Sequence, residues 1–61
     1  MNEHRINELA AIFCTLCKQA QDTHVVSDED LQNMADDIIT MPDQAGQLLD
    51  KHIATLRSKL A

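Results

Sequence analysis

Cys14 and Cys17 form a Cys-x-x-Cys pair, CTLC, a spacing shared by redox dithiols and zinc half-sites. A redox pair of this type sits at a helix N-terminus, where the dipole lowers the thiol pKa. Here the pair lies in mid-helix sequence among Ile12, Phe13 and Leu16. A zinc site would need two more ligands, and no second cysteine pair follows. His24 is the nearest later donor, and His4 and His52 are more distant. Two cysteines at this spacing on a helix do not readily bridge each other. Cys17 is therefore expected to be small core filler and Cys14 a semi-exposed thiol. No metal and no cofactor is expected.

The carboxylates are the other residues with chemical potential. They cluster as Asp28, Glu29, Asp30 and then Asp36, Asp37. Paired carboxylates can do general acid–base work, but no nucleophile, base or phosphate-cradling loop accompanies them. No catalytic residue is assigned, and the chain is not expected to be an enzyme. The first group suits a helix N-terminus. The second falls near a helix C-terminus, where it opposes the dipole. A solvated acidic face accounts for both groups. The functional alternative is a protein-binding surface of Asp30, Asp36 and Asp37 that meets basic residues of a partner or of a second copy. Such a surface could also imitate DNA phosphate. His52 lies at the edge of an apolar stripe and is expected to be a hydrogen-bonded interface histidine.

Three segments must position these groups. The first runs from about Asn2, a possible N-cap, to Gln21. Its seam of Ile6, Leu9, Phe13, Leu16 and Ala20 has heptad spacing. Ala10, Ile12 and Cys17 widen it into a stripe suited to neighbours on two sides. His4 and Glu8, four apart, can pair on its surface. A connection from about Asp22 to Val26 follows, and its length fits an antiparallel helical hairpin. At least one of Val25 and Val26 should pack on the core. The second helix starts at Ser27, an N-cap with Asp30 completing a capping box and Val26 and Leu31 placed as a hydrophobic staple. Its apolar face is Leu31, Met34, Ala35 and Ile38.

Pro42 cannot continue that helix cheaply. It is tolerated in a first turn, and Thr40 with Asp43 offers a second capping box. A break is expected, with a third helix from about Pro42 to Leu60 and a seam of Leu49, Ile53, Leu56 and Leu60. The alternative is one long kinked helix from Ser27 to Leu60. Gly46 falls on the seam side, as a local weakness or as a point of close helix approach. The segment LLDKHIATLRSKL resembles the end of the recognition helix in winged-helix response regulators, which place a His and an Arg-rich stretch there. Most of those arginines are absent here, and no site residue is carried over.

Composition sets the remaining bounds. With 61 residues, one Gly, one Pro and one aromatic residue, the chain has little turn vocabulary and a thin core. The implied fold is all-α: two or three antiparallel helices in a hairpin or bundle, completed by homodimerisation. Leu9, Phe13, Leu16, Leu49, Ile53 and Leu56 are the expected dimer interface. The net charge of −5 is uneven. Asp22, Asp28, Glu29, Asp30, Asp36, Asp37 and Asp43 stand with no Lys or Arg between them, while Lys51, Arg57 and Lys59 gather near the C-terminus. That balance argues against a phosphate-backbone binder. No run of apolar residues approaches a membrane span. The start, MNEHRINEL, lacks the basic and apolar parts of a secretory signal. A cytoplasmic protein with reduced cysteines is expected. The leading functional expectation is a small acidic regulator, inhibitor or adaptor that binds a larger protein with a basic surface, transcription-related proteins among the candidates. The alternatives are a nucleic-acid-binding module using the basic C-terminal helix and a metal or redox protein using the Cys-x-x-Cys pair.

Overall fold

The computed structural model describes residues 3–61, so the expected cap at Asn2 lies outside the described residues. Three helices form, α1 (Glu3–Thr23), α2 (Asp28–Thr40) and α3 (Ala45–Leu60), with a 3₁₀ turn at Pro42–Gln44. No strand is present among the described residues. At 1.5 Å per residue α1 is about 31 Å long, and it sets the long axis of a molecule measuring 33 × 20 × 15 Å.

Local chemistry explains most of the boundaries. His24 ends α1 in the left-handed region, with φ 58°, and its N–H donates to the Gln21 carbonyl at 3.3 Å. A side chain with a Cβ is strained there, which is why glycine is the usual residue at this position. Ser27 caps α2, its hydroxyl accepting from the Asp30 N–H at 3.2 Å. Among the described residues the Asp30 carboxylate makes no return bond, so the capping box is half formed. Val26 is buried, and Leu31 packs on the same apolar cluster, as the staple requires.

Pro42 breaks the chain as expected, but not through the Thr40–Asp43 capping box. Thr40 is still helical, so its hydroxyl reaches backwards and donates to the Asp36 carbonyl at 2.6 Å. Met41 takes the cap position without a side-chain bond. The 3₁₀ turn supplies the missing acceptors instead: the Gln44 N–H donates to the Met41 carbonyl and the Ala45 N–H to that of Pro42. All four threonines bond back to a carbonyl four residues earlier, the pattern expected of a helical Thr.

The main packing is α3 against α1. Arg5, Ile6 and Leu9 of α1 line one groove with Gly46, Gln47 and Asp50 of α3, and Phe13 meets His52 further along. The two helices therefore run parallel. α2 returns antiparallel to α1 and packs on α3, and it shares a groove with α1 lined by Phe13, Cys17, Gln21, Asp28, Leu31 and Ala35. The expected hairpin of helices one and two is present in direction but is not the packing unit. Leu31, Met34 and Ile38 form one narrow ridge, only partly buried on the core. No residue of α2 is fully buried.

The core consists of Leu9, Phe13, Ala20, Val26, Leu49, Ile53 and Leu56. Five of the six residues expected at a dimer interface thus bury one another within a single chain, and Leu16 is half-buried. The physical reason is the parallel α1–α3 pairing, which places two complementary seams face to face. The radius of gyration, 11.1 Å, is close to the roughly 10.5 Å of a compact chain of this length. No described helix is long and apolar enough to cross a membrane.

Candidate functional site

A helix places residues four apart in one row. On α2, Asp28 and Gln32 face the α1 side beside Leu31 and Ala35, and Asp36, one turn on, stands at the rim. On α1 the matching side carries Cys14, Lys18 and Gln21 beside Phe13 and Cys17. Because α1 and α2 barely touch, these two sides leave an open groove of about 560 Å³ between them. Its floor is apolar (Phe13, Cys17, Leu31, Ala35) and its walls are polar. Gln32 Nε2 donates to Asp36 Oδ1 at 3.1 Å and holds that carboxylate along the α2 rim. Ile39, four residues beyond Ala35, continues the same side of α2. It is 75 % exposed, the most exposed of the large apolar residues.

The three acids proposed for partner contact do not share one face. Asp30 and Asp37, seven apart, border the α3 side of α2, whereas Asp36 lies on the groove side. Asp37 Oδ2 lies 3.5 Å from His52 Nε2 of the same chain. His52 is only 7 % exposed, and that nitrogen makes no hydrogen bond. The approach counts as an ion pair by distance, yet 3.5 Å is too long for a good hydrogen bond. The unsatisfied nitrogen is therefore the better description. The expectation of a hydrogen-bonded interface histidine is corrected for Nε2. His52 is a core residue whose ring packs at a tilt on Phe13, centroids 6.3 Å apart, and its nitrogen points to an acid across a gap.

Both cysteines are free, Cys14 exposed and Cys17 half-buried. Burial pushes the Cys17 thiol above its ordinary value, and the neighbouring Cys14 adds to the effect. That is the opposite of the thiolate stabilisation a redox pair needs. No group of three or more metal-ligating side chains occurs among the described residues. Lys51, Arg57 and Lys59 are exposed on α3. At about 100° per residue they point in three directions and do not form the stripe that a phosphate backbone would follow. Gly46 is not a point of close approach, since a Cβ built there meets nothing within 4 Å.

The groove itself was not foreseen from sequence. One signal pointed to it: the apolar stripe of α1 is wider than one partner helix can cover. Comparison with known proteins finds no matching family model, no matching curated protein and no matching solved structure.

Proposed function

We propose that this protein is a non-enzymatic binding module, a small regulator, inhibitor or adaptor that engages a larger protein through the α1–α2 groove. The observation that carries the reading is that groove: an open slot with an apolar floor and polar walls. Asp36 adds support. It stands in the last turns of α2, where the helix dipole disfavours acids, at the rim of the groove. The setting proposed is the cytoplasm, where both thiols stay reduced.

The test is affinity capture from the source cell with the full chain and with Ala35→Trp, which fills the groove. A partner held by the parent and lost by the folded variant supports the reading. Equal capture by both removes it. Self-association is a second reading, favoured by one apolar patch. Ala11, Ile12, Thr15 and Leu16 line a shallow hollow on α1 away from the groove. A second copy would use this patch rather than the buried seams, and Ile12→Lys would then shift sedimentation from dimer to monomer.

A further inference from the structure

We infer that the occupant of the α1–α2 groove is an amphipathic helix of a partner protein that carries Lys or Arg along the edge facing α2; this rests on the groove being the binding site.

Shape gives the first half of the inference. The groove lies between two antiparallel helices and is walled by residues 13–21 of α1 and 28–35 of α2, so its walls span about 12 Å. Its floor, Phe13, Cys17, Leu31 and Ala35, is a single apolar strip with no backbone edge. An extended peptide needs free N–H and C=O groups to pair with, and helix walls offer none. A helix satisfies its own backbone and needs only apolar side chains at i, i+3 or i+4, and i+7 to fill such a strip.

Charge gives the second half. α2 carries Asp28, Glu29, Asp30, Asp36 and Asp37 and no Lys or Arg. Asp28 lines the groove, and Asp36, one turn beyond the lining, is bonded by the Gln32 amide at its rim. The α1 wall has one base, Lys18. A helix lying in the slot thus meets acids along one edge and a lone cation along the other. A basic edge toward α2 is the complementary arrangement, and an acidic edge there places like charges side by side. A second copy of this chain is a poor fit. Its basic helix, α3, has its seam of Leu49, Ile53 and Leu56 buried in its own core and offers no apolar stripe to the floor.

The test uses two stapled helical peptides of about 14 residues, a length matched to α2. They share one leucine stripe and differ only in having Lys/Arg or Glu on one flank. Each is titrated into the isotope-labelled full chain and followed by amide NMR. The expected result is saturable shifts at Cys14, Cys17, Gln32 and Ala35 with the basic peptide, at least tenfold weaker binding of the acidic one, and loss of binding when Cys14 carries a bulky maleimide in a Cys17→Ala background. Equal affinity for the two peptides, or shifts centred outside the groove, overturns the inference. If neither peptide binds while Ala35→Trp still abolishes capture of a cellular partner, the groove stands as the binding site and the basic helix is rejected as its occupant.

Discussion

At the scale of single residues, His52 and Cys17 show how burial acts on groups whose sequence neighbours look ordinary. His52 Nε2 is buried without a hydrogen bond, and such an atom costs about 1–3 kcal/mol. Leucine keeps most of the volume and removes the nitrogen. His52→Leu is therefore expected to stabilise the fold by about 1 kcal/mol, read as a higher urea midpoint. A marked loss instead would mean that attraction to Asp37 outweighs the desolvation. For Cys17 the sign follows from linkage. Its folded pKa is raised by burial first and by Cys14 second. The folded chain holds that proton more tightly than the unfolded one. The contribution is complete below the unfolded thiol value, about 8.5, and is lost as pH rises through the folded value. Cys17→Ala should be less stable than the parent at neutral pH, with a gap that narrows in denaturation curves measured above that range.

At the scale of elements, the caps decide where helices stop. The left-handed φ of His24 costs a residue with a Cβ about 1–2 kcal/mol, so His24→Gly should raise stability by about 1 kcal/mol after the entropy of glycine is counted. Gly46 offers the converse case. It sits in the first turn of α3 with open space around its missing Cβ, and Gly46→Ala should gain about 0.5–1 kcal/mol. Thermal melts of the two variants check both values. The elements themselves were largely legible in sequence. Ser27, Val26 and Leu31 act within one turn of each other, so their roles are local and readable. Pro42 likewise broke the chain where its missing N–H and ring required. The Thr40–Asp43 box was not legible, because whether Thr40 caps forward or bonds backward depends on its own backbone angles, which the preceding helix sets.

At the scale of the molecule, stability is unevenly distributed. The α1–α3 pair holds most of the core, and α2 rests on it by a partly buried ridge. Elements with few buried apolar contacts open at low free-energy cost. Amide hydrogen exchange in the middle of α2 is expected to be at least tenfold faster than in the middle of α1 and α3. Equal protection of all three helices would show that α2 unfolds only with the whole. This looseness is consistent with a groove beside α2 that adjusts to an occupant.

The sequence by itself determined an all-helical chain of two or three helices, the capping of the second at Ser27 and the acidic character of α2, and it favoured a break at Pro42 over a kink. Each of these depends on residues within a turn or two, where propensity, proline geometry and side-chain caps act. It also identified the seam residues Leu9, Phe13, Leu49, Ile53 and Leu56. Only the tertiary structure decided what those seams face. A stripe of leucines is equally suited to a second copy or to another helix of its own chain, and periodicity does not carry that information. Here α1 and α3 satisfy each other. That leaves the α1 flank bearing Cys14 and Cys17 open beside α2, turns Asp37 toward His52, and leaves Asp36 on the groove side of α2.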